Sequence, residues 1–159
     1  TKESIFNIIQ HSNLLKLRIE DSYILDLFSG IGSFGLECLS RGASNVFFYE
    51  NYKNVINILK KNIENLEFTN QTSIIESDIF YRGSLTKLKN KFEIIFLDPP
   101  FAENFFIDEL KIIKGSKIYK EKHLIIIHRQ VNSKDKLNNI INVLSTRNYG
   151  RSTIIFGTF

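Results

Sequence analysis

The sequence predicts an α/β protein with a mostly parallel sheet, and three observations support this. Short apolar runs typical of strands alternate with amphipathic helical segments along the chain. A Gly-x-Gly-x-x-Gly loop, Gly30–Gly35, lies between a strand and a helix. The last two apolar runs flank Asn148-Tyr149-Gly150, as in an antiparallel hairpin. We therefore expect parallel strands, helices on both faces, and one reversed strand near the edge.

The elements are predicted in order from the spacing of apolar residues. Helices are expected at Thr1–Leu17, from the glycine loop to Gly42, at Tyr52–Leu66 and at Glu103–Ile113. Strands are expected at Tyr23–Phe28, Asn45–Glu50, Thr72–Glu76, Phe92–Leu97, His123–His128, Ile141–Thr146 and Ser152–Phe156. The basic segment 81–91 is expected to be part helix and part loop, and 137–144 could be helical instead of opening the hairpin.

Composition indicates the general class of protein. With 159 residues, 43% of them hydrophobic, residues 1–159 are expected to form one domain with a substantial core. The net charge of +4 permits a polyanionic partner without requiring one. Cys38 is the one cysteine, and no signal peptide or membrane-spanning run is present, so we expect a cytoplasmic protein with no membrane partner. The sequence has no methionine, so a short segment is expected to precede Thr1.

The end of the fourth strand is the most informative stretch. Phe92–Leu97 is almost wholly apolar and is followed by Asp98-Pro99-Pro100-Phe101. Two prolines cannot donate backbone hydrogen bonds, and they hold the preceding residue extended, so the sheet ladder must stop at Asp98. The result is a stiff turn with free carbonyls, a carboxylate and a phenyl ring. Ligands bind outside the carboxyl ends of such strands, where this turn would lie.

The glycine loop and the acid Glu50 at the end of the second strand allow two nucleoside cofactors, a nicotinamide dinucleotide or S-adenosylmethionine. The second is favoured because Asp26, four residues before Gly30, would repel a pyrophosphate but suits ammonium and sulfonium groups. Glu50 is placed to accept the ribose hydroxyls, and Asp78 with the Ile79 amide to bind the adenine edge. The full set of expected cofactor residues is Asp26, Phe28, Gly30, Gly32, Gly35, Glu50, Asn51, Asp78 and Ile79.

These motifs together resemble one family. The stretch Asp26–Glu37, continued by Leu39-Ser40-Arg41-Gly42-Ala43, is similar to the RsmD family of bacterial 16S ribosomal RNA guanine-N2 methyltransferases. Glu3–Asn7 resembles the helix that precedes the family's first strand. Asp98–Phe101 resembles its catalytic motif, and Tyr149-Gly150 its final turn. The resemblance covers nearly the whole chain.

The resemblance implies a three-layer, Rossmann-like methyltransferase sheet of seven strands in the order 3-2-1-4-5-7-6, with strand 7 antiparallel. It implies methyl transfer from S-adenosylmethionine to the exocyclic N2 amine of a guanine in 16S rRNA, of the guanine-966 type. The partner would be a small ribosomal subunit or an assembly intermediate, and the enzyme a monomer. Family members carry a basic upstream segment that helps to bind RNA. A DNA adenine-N6 methyltransferase and a non-catalytic nucleoside- or RNA-binding domain are the alternatives.

The Asp98 motif is expected to orient an amine rather than to act as a strong base. If the Asp98 carboxylate and the Pro99 carbonyl accept the two N–H bonds of the amine, its lone pair can point at the methyl carbon. Pro100 would stiffen the turn and Phe101 would stack on the extruded base.

The other reactive side chains have simpler interpretations. Cys38 is expected to be a small buried thiol, and the histidines lack metal-ligand spacing, so no metal is expected. Arg129 could meet phosphate or be an ordinary surface arginine.

Overall fold

A computed structural model of the chain describes residues 2–13, 16–77, 85, 87–100 and 105–159. Helices and strands alternate along these residues until a closing hairpin. The helices are α1 Lys2–His11, α2 Ser33–Ser40, α3 Lys53–Asn65 and α4 Phe106–Ser116, with one 3-10 turn at Thr69–Gln71. The strands are β1 Tyr23–Leu27, β2 Asn45–Glu50, β3 Thr72–Glu76, β4 Phe92–Leu97, β5 Tyr119–Gln130, β6 Asn142–Tyr149 and β7 Ser152–Thr158.

The seven strands form one sheet in the order β3-β2-β1-β4-β5-β7-β6. The pairs from β3 to β5 are parallel, whereas β7 runs antiparallel to both β5 and β6. The predicted strand order and the reversed strand are therefore confirmed. From β1 the chain first adds strands on one side of the sheet and then, from β4, on the other side. In α/β sheets a crevice for ligands forms at this switch point, at the carboxyl ends of the strands.

The core fills both sides of the sheet. The apolar faces of α1, α2 and α3 pack against one side, and α4 packs against the other. Consecutive residues of β1 serve the two sides, since Ile24 belongs to the first cluster and Leu25 to the second, and both are fully buried. None of the helices in the described part of the chain has the length and apolar character needed to cross a bilayer.

The boundaries of several elements differ from the sequence-based expectation. Helix α1 ends at His11 rather than Leu17, and Lys16 has a left-handed φ of 48°. The Ser12 N–H donates to the Ile8 carbonyl at 2.9 Å, so helical hydrogen bonding continues one residue past the end of α1. Strand β5 is longer than predicted because Tyr119 pairs with Phe92 before a register shift brings Leu124 beside Ile94. Helix α4 continues one turn past the predicted end at Ile113, while its predicted start at Glu103 lies outside the described residues.

Candidate functional site

The loop between β1 and α2 requires glycine at three positions, for two different reasons. Gly30 and Gly32 have left-handed φ values of 55° and 88°, which side chains with a Cβ rarely adopt. Gly35 has no such φ, but a Cβ there would lie 2.5 Å from the Phe48 ring and 2.7 Å from Val46. Gly35 therefore lets α2 approach the sheet, and Gly30 and Gly32 let the backbone turn. Phe28 precedes the loop with a positive φ of 56° and is half-buried.

Asp26 lies in β1 beneath this loop and is almost fully buried, with 1% of its surface exposed. Its Oδ2 accepts a hydrogen bond from the Gly35 N–H at 3.0 Å, so the carboxyl group ties the strand to the first turn of α2. Burial raises the pKa of Asp26 to about 8, the Gly35 N–H opposes this, and the negative charges of Asp98 and Glu50 add to it. The group is a buried acid whose charge responds to any cation placed at the loop.

Glu50 closes β2 and is close to the glycine loop. Its Oε2 accepts the Gly30 N–H at 2.9 Å, and its Oε1 accepts the N–H groups of Asn51 and Tyr52 at 2.9 and 3.0 Å. The carboxylate is thus fixed in orientation by three backbone donors from two loops. A carboxylate offers about four lone-pair sites, so further acceptor capacity is left for a ligand hydroxyl.

Asp98 follows β4 directly, and its side chain is 45% exposed at the edge of the sheet. Its backbone N–H reaches the carbonyl of Leu27 in β1 at 3.5 Å, which is the last link between the two strands. Strand β4 ends at Leu97, so the ladder stops before the prolines as predicted; Pro99 is buried and Pro100 is exposed. The Asp98 carboxylate is left partly exposed to solvent beyond the end of β4.

One residue that the sequence did not single out as functional is bonded to this carboxylate, and a second is bonded to the first. His128 Nδ1 lies 2.8 Å from Asp98 Oδ1, and His128 Nε2 lies 2.8 Å from the hydroxyl of Ser152. The contact between Asp98 and His128 follows from the register of β4 and β5. These strands pair Leu97 with Ile127, so the next residues, Asp98 and His128, lie side by side. Aligning the two apolar runs by their polar ends would have found the pair.

Arg129 is neither a phosphate ligand on the surface nor an exposed side chain, so both expectations for it were wrong. Its side chain is 2% exposed and lies over the Phe106 ring, with its guanidinium carbon 4.4 Å from the ring centre. Nε donates to Asp135 at 2.9 Å, and an Nη atom donates to the Pro100 carbonyl at 3.3 Å. Arg129 therefore braces the proline turn from inside the protein.

Three exposed apolar side chains border the same edge of the sheet. Ile31 of the glycine loop is 48% exposed, Tyr52 after β2 is 71% exposed, and Phe105 before α4 is 60% exposed. They follow β1, β2 and β4, and so frame the residues described above. Asp78, Ile79 and Phe101, which were expected to take part, lie outside the described residues.

Cys38 and His123 have structural roles. Cys38 is buried in α2, and burial raises the pKa of its thiol, as expected for a packing residue. His123 is 4% exposed; its Nε2 accepts the N–H of Phe159 at 2.9 Å, and its Nδ1 lies 2.7 Å from the Lys120 carbonyl. Within the described ranges no group of three or more His, Cys, Asp or Glu side chains could hold a metal ion.

The described residues fit an S-adenosylmethionine-like ligand. A Cβ built on Gly30 would meet nothing within 4 Å, so the loop surface there is open to a close approach. The Ser29 hydroxyl in the same loop is buried and has no hydrogen-bond partner among the described residues. Together with Glu50 and Asp26, the loop offers acceptors suited to hydroxyl and ammonium groups, and residues 28–35 contain no Lys or Arg.

The strand order and the acids at the carboxyl edge define a Rossmann-like protein of the methyltransferase fold class. The ribosomal protein L11 methylase of Lactobacillus delbrueckii shares this fold, with a TM-score of 0.72 over 94% of this chain and 78% of its own at 14% identity. A solved Haemophilus influenzae structure is 28% identical and superposes with a TM-score of 0.79 over 99% of this chain and 94% of that one.

Sequence comparison places the chain within a family. The family profile described as "Conserved hypothetical protein 95" matches residues 1–158. Ribosomal RNA small subunit methyltransferase D of Haemophilus influenzae is 34% identical over 140 residues, which is 85% of this chain and 66% of that protein's length. The chain thus spans slightly less than two thirds of that relative. It belongs to the RsmD family, as the sequence motifs predicted.

Proposed function

We propose that the protein transfers a methyl group from S-adenosylmethionine to the N2 amine of a guanine in 16S rRNA. The observation that carries this proposal is the partly exposed carboxylate of Asp98 on a proline-stiffened turn, at the same sheet edge as the glycine loop and Glu50. Family membership supports the RNA substrate, and the guanine of the type numbered 966 is the position we infer. We further propose that the protein acts as a cytoplasmic monomer on the small ribosomal subunit or its assembly intermediate.

The cofactor would be held by the residues around the glycine loop. Glu50, already oriented by three backbone donors, would accept the ribose hydroxyls. Gly30 and Gly32 would let the backbone approach the methionine part, and Asp26 beneath the loop would lose its proton and then stabilise the positive charge of this part. Asp78 and the Ile79 amide are proposed for the adenine edge. When bound, S-adenosylmethionine supplies an electrophilic methyl carbon on a sulfonium leaving group.

The protein's contribution to the chemistry is to orient and stabilise the amine. The lone pair of a guanine amine is delocalised into the ring, so the nitrogen is a weak nucleophile. Asp98 and the Pro99 carbonyl would accept its two N–H groups and favour a tetrahedral nitrogen. The negative charge of Asp98 would stabilise the positive charge that develops on this nitrogen, and its carboxylate can take up the proton that the amine loses. Phe101 is proposed to stack on the base.

Methyl transfer with tritiated S-adenosylmethionine tests the proposal. The substrates are 16S rRNA, small subunits that lack the modification, and double-stranded DNA, and the labelled nucleoside is identified after digestion. We expect N2-methylguanosine from rRNA or from small subunits and no label in DNA. Label in N6-methyladenine of DNA would support the DNA enzyme instead. Cofactor binding without label in any substrate would indicate a non-catalytic domain, and either result would overturn the proposal.

A further inference from the structure

The pair formed by Asp98 and His128 connects the proposed catalytic carboxylate to two neighbouring strands. His128 lies in β5, one position beyond the register pair of Leu97 and Ile127, so its ring stands beside the turn after β4. The distance between His128 Nδ1 and Asp98 Oδ1 is 2.8 Å, and that between Nε2 and the Ser152 hydroxyl of β7 is also 2.8 Å. The His128 side chain is 21% exposed, less than half the exposure of Asp98 at 45%.

The contacts assign the ring protons. An ionised carboxylate can only accept, so the His128 nitrogen that faces Asp98 must carry a hydrogen. In the neutral ring the other nitrogen then accepts, and the Ser152 hydroxyl donates to it. The ring is therefore held at both nitrogens, from β4 on one side and from β7 on the other. A ring fixed in this way has one tautomer and one orientation.

We infer that His128 is a positioning residue, which holds Asp98 Oδ1 so that Oδ2 faces the incoming amine. This inference rests on the proposed function. A side chain as exposed as Asp98 would otherwise rotate freely, because the prolines after it restrict its backbone but not its carboxyl group. Fixing the acceptor before the amine arrives reduces the reorganisation needed in the transition state.

Two other charged residues of the described part of the chain, Asp26 and Arg129, act differently on this turn. Asp26 Oδ2 accepts the Gly35 N–H, and the negative charge of Asp98 acts on Asp26 only by raising its pKa. Arg129, the next residue of β5, points to the opposite face and contacts Asp135 and Pro100. Arg129 thus braces the turn backbone, whereas His128 orients the carboxylate.

Two substitutions at one position test the inference by activity. His128→Ala removes the donor, and His128→Asn keeps an N–H group close to the place of Nδ1. We expect His128→Ala to lower kcat about 10- to 100-fold with KM for RNA nearly unchanged. His128→Asn should recover most of kcat, and His11→Ala, which changes an exposed histidine at the end of α1, should match the parent. Parental kcat in His128→Ala, or equal losses in both His128 variants, would overturn the inference.

A second measurement does not depend on activity. Long-range ¹H–¹⁵N correlation spectra of ¹⁵N-histidine protein report which ring nitrogen carries the proton. We expect the Nδ1–H form for His128 in the parent and a change in its ring signals in Asp98→Ala. A ring protonated only at Nε2 in the parent would overturn the inference even if the enzyme is active. If no RNA is methylated but the Nδ1–H form is found, the proposed function fails while the assigned contact stands.

Discussion

Glu50 Oε2 accepts a hydrogen bond from the Gly30 N–H at 2.9 Å, which joins the acid at the end of β2 to the glycine loop after β1. The other carboxylate oxygen accepts the N–H groups of Asn51 and Tyr52. The acid proposed to bind ribose therefore also joins the loops that follow β1 and β2. Binding of the cofactor and order in these loops should depend on the same side chain.

Replacement of Glu50 tests this relationship. Glu50→Ala should weaken binding of S-adenosylhomocysteine by about 1.5–3 kcal/mol, the range for hydrogen bonds to a charged acceptor. Glu50→Gln should lose less, because one oxygen can still accept. Glu64→Ala, which removes an exposed acid from α3, serves as the control and should bind as the parent does. Isothermal calorimetry measures all four proteins, and unchanged affinity in Glu50→Ala would remove Glu50 from the site.

The buried acid Asp26 should make stability depend on pH. Its pKa is raised from 3.8 to about 8 in the folded protein, chiefly by burial. Between these values the native state keeps a proton that the unfolded chain has lost. The free energy of unfolding should therefore fall as pH rises from about 4 to about 8, by up to about 1.4 kcal/mol per pH unit.

Asp26→Asn isolates that contribution, because its side-chain oxygen can still accept the Gly35 N–H and carries no charge. Urea unfolding at several values between about pH 5 and 8 should give a flatter pH dependence for Asp26→Asn than for the parent. Parallel curves for the two proteins would show that Asp26 is ionised throughout this range and that burial does not hold its proton.

The positive charge of the cofactor should change the pKa of Asp26. A cation placed at the loop favours the ionised form, so it should lower the pKa of Asp26 and release a proton on binding. S-adenosylmethionine, which carries a sulfonium, should release more protons near neutral pH than S-adenosylhomocysteine. Calorimetry in two buffers of different ionisation enthalpy measures the released protons. Equal release for the two ligands would place the sulfonium out of electrostatic reach of Asp26.

Gly35 and Gly115 provide a matched pair of glycine substitutions in helices. Gly35→Ala should destabilise the fold by about 1–3 kcal/mol, because the new methyl group would overlap Phe48 and Val46. Gly115→Ala, in α4, meets nothing within 4 Å and should be neutral or stabilising by about 0.5–1 kcal/mol. Chemical denaturation compares them. A Gly35→Ala protein as stable as the parent would mean that α2 can move away from the sheet at little cost.

Arg129 should matter for stability because it braces the turn from inside. Arg129→Met would leave the largely buried Asp135 carboxylate without its ion-pair partner and should cost about 3 kcal/mol. Arg147→Met, at an exposed position of β6, should change stability little. Thermal unfolding distinguishes the two variants. Similar melting temperatures would show that Asp135 finds water or another donor when Arg129 is removed.

Much of the fold could be predicted because its signals are local. Apolar runs such as Phe92–Leu97 identify buried strands, and the hairpin around Gly150 identifies the reversed strand. The elements that were misjudged depend on their surroundings. Polar residues at the start of β5 pair because Tyr119 meets Phe92 across the sheet. Helix α1 ends at His11 although apolar residues continue to Leu17, so the spacing of apolar residues alone does not give its end.

Motif residues of the site could be predicted, whereas their partners could not. Asp98 and Glu50 stand at strand ends that a linear pattern identifies. His128, Ser152 and Arg129 take their roles from neighbours about 30 residues away in the sequence, in a register that periodicity does not give. Arg129 shows the effect most clearly, because an arginine after a strand is expected on the surface and here a carboxylate and an aromatic ring keep it inside.

The central claim is that Asp98 activates the amine while the residues of the first strands hold the cofactor. The most direct measurement is the single-turnover rate of methyl transfer to rRNA by Asp98→Ala, together with its affinity for S-adenosylmethionine. We predict a rate lower by roughly 100- to 1000-fold or more, with cofactor affinity within a few-fold of the parent. Asp98→Asn should be partly active at best, because its oxygen accepts without a charge. Methylation of rRNA by Asp98→Ala at the parental rate would contradict the account.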